Sequence, residues 1–192
     1  TRETARDYRR WALESAGLDL ALRQAGTSLG EAVGRSYDPV RFVVSTRLGE
    51  PPTLDRVTML RERDPTVEFK LDPTSDWADE LIADLAATGA VRVLDLKGYY
   101  EGTEVDQDPD PALYERVVER FPDAVVEDPA VTEETEPVLA AAADRLSWDA
   151  PVHGVADLEA LPFEPRWLNV KPSRFGTVES LFETLEYAAE RE

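Results

Sequence analysis

The chain has 192 residues, 42% of them hydrophobic, which suits one domain with a sizeable core. Forty acidic side chains against 21 basic ones give a formal charge of -19, which repels nucleic acid and anionic membrane surfaces and argues against both as partners. With no cysteine and one histidine, disulfides, thiolate metal sites and cysteine nucleophiles are excluded, and any metal must be held by oxygen or by that histidine.

Residues 4–24 place Tyr8, Trp11, Ala12, Ala16, Leu18, Leu20 and Leu22 at a mostly helical spacing and predict a lead-in helix that stops at Gly26. From there a strand-like run, a polar or Pro/Gly-rich turn and an amphipathic helix recur about every 20 to 30 residues. Strands are expected at 41–45, 67–71, 91–96, 124–127, 145–148 and 167–170. Helices are expected at 54–63, 77–88, 111–121, 134–144, 155–161 and 177–190. Asp110 stands ahead of Pro111 as a cap before a first-turn proline, Ser75 and Asp76 stand ahead of Trp77, and Gly89 closes its helix. No run approaches the roughly 18 to 20 apolar residues that span a bilayer, and the first ten residues lack the apolar region of a signal peptide. A soluble, cytoplasmic protein is expected. The sequence opens without methionine inside an expected helix, as a piece of a longer protein would.

Strictly alternating strands and helices with short connections call for parallel strands, because each helix carries the chain back across the sheet. A doubly wound open sheet and a barrel both satisfy that pattern. No Gly-x-Gly-x-x-Gly or phosphate-binding loop follows any strand, and the polar residues gather at the strands' C-terminal ends, where a barrel brings them into one ring. The expected fold is therefore α/β, a TIM-type (β/α) barrel with six of its eight units present. Residues 1–30 are read as a lead-in helix. Residues 31–192 are read as the partial catalytic barrel, with two units expected beyond Glu192.

Only three lysines occur among eighteen arginines, and each lies where an apolar run gives way to a turn: Lys70, Lys97 and Lys171. An amine does what guanidinium cannot, since it can lose its proton near neutral pH and act as a base or nucleophile. Asp95, Glu127 and Asp149 hold the same position in three successive units, and three oxygen ligands are what a hard cation such as Mg²⁺ prefers. Lys70 and Lys171 would flank such a site. A metal that neutralises a developing enediolate, beside an amine that removes a proton, is machinery for proton abstraction next to a carboxylate.

These residues resemble the enolase superfamily, in its mandelate racemase and muconate-lactonising branch, which includes o-succinylbenzoate synthases and dipeptide epimerases. ESAGLDLALRQAG at 14–26 looks like the helix before that family's barrel, VEDP at 126–129 like its fourth-strand motif, and NVKPSRFG at 169–176 like its sixth-strand lysine motif. The resemblance makes Lys70 and Lys171 the catalytic lysines and Asp95, Glu127 and Asp149 the ligands of Mg²⁺. It implies a lyase or isomerase, whether racemase, epimerase, dehydratase or o-succinylbenzoate synthase-like. It further implies a small carboxylate substrate, a homo-oligomeric full-length form, and an N-terminal capping domain outside this sequence to which the lead-in helix at 1–30 links. Two departures stand out: Glu68 replaces the first lysine of the second-strand Lys-x-Lys pair, and Lys97 replaces the asparagine of the third-strand Asp-x-Asn pair. Lys97 would point the same way as Asp95 and compete with a metal for the same carboxylates.

Other residues have weaker claims. His153, four positions after Asp149, could contact substrate or relay a proton, and Ser173 with Arg174 could bind a substrate anion at the start of the last helix. Tyr99, Tyr100 and Trp148 lie near the rim and could line a pocket, although aromatics after strand ends more often cover the core, and the acidic run at 101–110 is expected to be a solvated loop. Two alternatives stay open: a Schiff-base aldolase with Lys171 as nucleophile, and a non-catalytic relative that binds a metabolite.

Overall fold

Six parallel strands lie side by side in the order in which the chain makes them: β1 (Val44–Thr46), β2 (Phe69–Leu71), β3 (Val91–Asp95), β4 (Val125–Glu127), β5 (Leu146–Trp148) and β6 (Trp167–Leu168). This computed structural model describes residues 2–100, 102–103 and 107–191, so Thr1, Glu192 and part of the acidic run expected at 101–110 lie outside the described residues. The chain's contacts divide into two compact units, one of residues 42–151 and 161–169, the other of residues 1–41, 152–160 and 170–192.

The whole sheet belongs to the first unit. Parallel neighbours need a crossover, and among the described residues all five contain a helix: α3 (Asp55–Arg63), α4 (Asp79–Ala87), α5 (Pro111–Arg120), α6 (Glu136–Ala141) and α7 (Val155–Glu159). This is the α/β arrangement of six barrel units, with β1 and β6 as the two edges among the described residues, so that the barrel is not closed. Phe69, Leu71, Leu94, Val126, Leu146 and Trp148 are fully buried on the strands, and Val57, Ile82, Leu85, Val117 and Leu139 on the helices. The Asp110 carboxylate accepts the Leu113 N–H at 3.0 Å ahead of Pro111, and Gly89 takes a left-handed φ of 61° after α4, as their sequence positions predict.

Departures from the expected elements have local causes. Strand β1 begins at Val44 rather than 41, in an edge where Phe42 is 83% exposed. Helix α4 begins at Asp79 because Trp77 is held in a turn, its N–H bonded to Thr74 O at 3.0 Å and its ring buried as a core anchor. The helix expected at 134–144 ends at Ala141 and gives way to a 3-10 turn at Ala143–Arg145. There the Arg145 guanidinium donates to the carbonyls of Val118, Phe121 and Ala124 and ties off the end of α5.

The second unit contains α1 (Arg2–Ala25), α2 (Leu29–Ala32), α7 (Val155–Glu159), a 3-10 turn at Pro172–Phe175 and α8 (Val178–Ala189). The α2 turn was not expected, although Ser28 and Glu31 form the reciprocal capping box that announces it. The Glu14 carboxylate on α1 accepts the Val178 N–H at the start of α8 at 3.0 Å, and Thr177 caps α8 through Ser180 N at 2.9 Å. Among the described residues no helix is long and apolar enough to cross a membrane.

Candidate active site

Strand register decides which side chains meet. In parallel pairing Asp95 lies opposite Glu127 and Glu127 opposite Ser147, so Asp95, Glu127 and, two residues past Ser147, Asp149 project from one face. Lys70 joins them through an irregularity. A register shift between Phe69 and Lys70 sets Lys70 opposite Val93, in phase with Asp95, whereas unbroken pairing with Phe69 opposite Val91 would have set it opposite Arg92. Asn169, in phase with Trp167 and so with Ser147, falls on the same face.

The result is an ionic cluster with little solvent. The Lys70 ammonium bridges Asp95 Oδ2 at 2.9 Å and Glu127 Oε1, with side-chain exposures of 14% for Lys70, 0% for Asp95 and 4% for Glu127. Lys97 Nζ bonds the same Asp95 Oδ2 and lies 3.7 Å from Asp72 Oδ1. Asn169 Nδ2 donates to Glu127 at 3.0 Å, and the Tyr100 hydroxyl donates to Asp149 Oδ2 at 3.2 Å. The structure thus brings together Lys70, Asp95, Glu127 and Lys97 directly, and reaches Asp149 through Tyr100.

Charges in this cluster set one another. Burial works to lower the Lys70 pKa, but the Glu127 and Asp95 carboxylates outweigh it and hold the ammonium above its ordinary value. Burial would raise Asp95, yet the two lysines keep it below the usual range. Glu127, with one lysine and a negative neighbour in Asp95, is raised by its burial.

Asp128 was not singled out by the sequence, yet it is fully buried and its carboxylate accepts the N–H groups of Asp149 at 2.7 Å and Ala150 at 2.8 Å. Burial, aided by the Asp149 and Asp95 charges, pushes it up to about 6 against those two bonds. The sequence likewise assigns no role to Asp72 or Asn169, and it places Tyr100 among the aromatics near the rim without its bond to Asp149. Asp72 alone had a clear signal, standing two residues after Lys70. Next to the cluster a cleft of about 690 Å³ opens between the segments after β3 and β4, lined by Gly98, Tyr99, Gln107, Asp108, Ala130 and Thr132 among others. Tyr99 packs edge-on against the buried Trp148 ring at 5.8 Å.

Glu68 is paired with Arg92 at 4.0 Å. Lys171, His153, Ser173 and Arg174 belong to the second unit. There Lys171 is exposed and opens the 3-10 turn, its carbonyl accepting the Arg174 N–H at 2.9 Å, and the His153 N–H is bonded to Asp157 Oδ2 at 2.8 Å.

Three carboxylates at successive strand ends have the chemistry of a magnesium site, but their arrangement does not fit one. A shared ion needs oxygens at about 2 to 2.6 Å, and among the described residues no group of three such side chains is disposed to hold a metal. Two ammonium groups sit on Asp95 instead, and one of them also holds Glu127.

Comparison with known proteins agrees on the fold. Among solved structures it is similar to an L-Ala-D/L-Glu epimerase, with a TM-score of 0.65, 17% sequence identity, and coverage of 93% of this chain and 56% of that one. The chain therefore spans a little over half the length of that protein. No curated protein sequence matches it. Residues 36–192 match the C-terminal domain, and residues 1–32 the N-terminal domain, of the family described as domain of unknown function DUF8230, and the chain belongs to that family.

Proposed function

We propose that the protein is an isomerase or lyase that moves the proton on the carbon next to a substrate carboxylate, with Lys70 as the proton-carrying group. One observation carries this reading: the Lys70 amine, largely buried at the end of β2, converges with Asp95 and Glu127 from the two following strands at a single rim. The likeness in fold to an epimerase supports the reaction class, as does the sequence resemblance to the enolase superfamily. Held protonated by its two carboxylates, Lys70 enters as the donor. Its N–H proton passes to the α-carbon of an enediolate as the C–H bond forms, and in the other direction the neutral amine takes that proton back. Removal of the first proton needs a second base, a role proposed for Lys171 from its sequence motif alone. The ammonium group of Lys97 is a fixed positive charge of the kind that stabilises charge developing on the substrate.

The substrate class follows from charge. Asp72, Asp95 and Glu127 meet two ammonium groups, while Asp149 accepts from the Tyr100 hydroxyl and Asp128 from backbone N–H groups, an acidic excess that favours a substrate with a cationic amino group beside its carboxylate. A magnesium-assisted version of the reaction is not supported by the acids as they are arranged.

The clamp on Lys70 also favours a second reading, a metabolite-binding protein without turnover. Proton NMR in D₂O separates the two. Incubated with a panel of amino acids and short peptides, the full-length protein should exchange a substrate's α-proton for deuterium, and Lys70→Ala and Lys171→Arg should each lose that exchange, arginine having no neutral form at working pH. Saturable binding of a panel member with its α-proton retained would replace the enzyme by the binding protein.

A further inference from the structure

We infer that this site operates without a divalent cation, the ammonium of Lys97 serving as the fixed positive charge for the carboxylates at the ends of β2 and β3. The inference rests on the site proposed above but not on the reaction assigned to it.

Lys97 occupies Asp95 completely. Its backbone N–H donates to Oδ1 at 3.2 Å and its Nζ to Oδ2, so both oxygens are bonded by one residue. Lys70 Nζ adds a second ammonium on that same Oδ2 at 2.9 Å. A carboxylate oxygen offers about two lone-pair sites, and on Oδ2 both face an ammonium. A metal ion at Asp95 would have to displace these donors and then stand beside two positive charges on side chains that are only 14% exposed, where screening is weak.

The backbone supports the same reading. Lys97 has φ 56°, a left-handed conformation rare for a long side chain, and it is this turn that folds residue 97 back onto residue 95. From there Nζ also approaches Asp72 at 3.7 Å and lies 5.1 Å from the centre of the Tyr100 ring, whose hydroxyl donates to Asp149. Lys97 is thereby connected, directly or through Tyr100, to acids at the C-terminal ends of three different strands, the linking role a shared cation would have.

Titration of the full-length protein with MnCl₂, followed by the electron paramagnetic resonance signal of free Mn²⁺ and by thermal melting, tests this. Wild type should leave Mn²⁺ free at millimolar concentration and show the same Tm with EDTA. Lys97→Asn should gain Mn²⁺ binding in the sub-millimolar range and a Tm that rises with Mn²⁺, while Lys97→Arg should stay metal-blind. Lys97→Met carries the same comparison if the asparagine variant does not fold, and the wild-type titration decides by itself if neither does. Stoichiometric Mn²⁺ binding by wild type at sub-millimolar concentration would overturn the inference, as would a folded Lys97→Asn or Lys97→Met protein no better at binding Mn²⁺ than wild type. Because no substrate is present, failure of the α-proton exchange sinks the proposed reaction and leaves this inference standing, and the reverse holds too.

Discussion

Replacing Lys70 by methionine keeps the side chain's length and removes the charge that Asp95 and Glu127 share. Asp95 retains Lys97, so the loss falls on Glu127, left with the Asn169 amide as its remaining partner among the bonds described above. Breaking one side of a buried ion pair costs about 3 to 5 kcal/mol. Protonation of Glu127 sets a ceiling on that cost. Neutralising a glutamate of ordinary pKa about 4.3 takes about 1.4 kcal/mol per pH unit, which comes to ~5 kcal/mol at pH 8 and ~2 kcal/mol at pH 5.5. Lys70 itself adds no slope in this window. Its folded pKa is raised, so its contribution is fully present below about 10.4 and is lost only as pH rises through the folded value. Glu127 is already raised by burial and rises further once Lys70 no longer opposes it, so the variant's added loss grows as pH rises. Urea unfolding of the full-length protein, followed by tryptophan fluorescence, should therefore show a loss of about 3 to 5 kcal/mol at pH 8 that shrinks to about 2 kcal/mol at pH 5.5. Adding Glu127→Gln to the variant should restore most of the loss at pH 8. An equal loss at both pH values, or a loss at pH 8 under about 1 kcal/mol, would refute the ion-pair account.

Asp128, pushed up to about 6 by burial, contributes stability that is present below about 3.8 and lost as pH rises through about 6. Asp128→Asn should flatten the stability profile across that window by up to about 3 kcal/mol, as read from urea midpoints at half-unit intervals of pH. Gly98 is the second: a Cβ there would collide with the backbone of Ala130, so Gly98→Ala should cost about 1 to 3 kcal/mol in thermal unfolding.

The fold was legible because periodicity is a local property. Apolar runs alternating with helical spacing located all six strands and the helices between them, and Asp110, Pro111 and Gly89 acted as their sequence positions predict. Much of the site was not local. Lys70 reaches Glu127 across 57 residues, Tyr100 reaches Asp149 across 49 and Asn169 reaches Glu127 across 42, and no spacing rule spans such intervals. The shift that turns Lys70 onto the Asp95 face is a property of the β2 and β3 pairing, not of either strand alone. Lys97 was legible as a competitor for Asp95, because residues two apart on a strand share a face. Its left-handed backbone and its approach to Asp72 were not.

Lys97 and Asp128 are the two non-glycine residues with positive φ among those described, at 56° and 47°; Asp128 directly follows β4 and Lys97 stands two residues past the end of β3. Such a conformation costs a long side chain about 1 to 2 kcal/mol, and somewhat less for aspartate, whose short polar side chain tolerates it. Glycine would adopt it freely, and the chain has one next door at Gly98. A strained residue persists where its surroundings over-determine it, and here the sheet ladder does so by continuing past the strands. Leu96 N–H bonds Glu127 O at 2.8 Å, Gly98 N–H bonds Asp128 O at 2.8 Å, and Asp128 N–H bonds Ser147 O at 2.9 Å. Each strained residue then does with its side chain what glycine could not. Asp128 holds the backbone on either side of the Asp149–Ala150 bond, and Lys97 closes over Asp95. The strain lies where acids from successive strands must be held close together against their mutual repulsion, and this ties the two unusual backbone positions to the chemistry of the site rather than to the stability of the sheet.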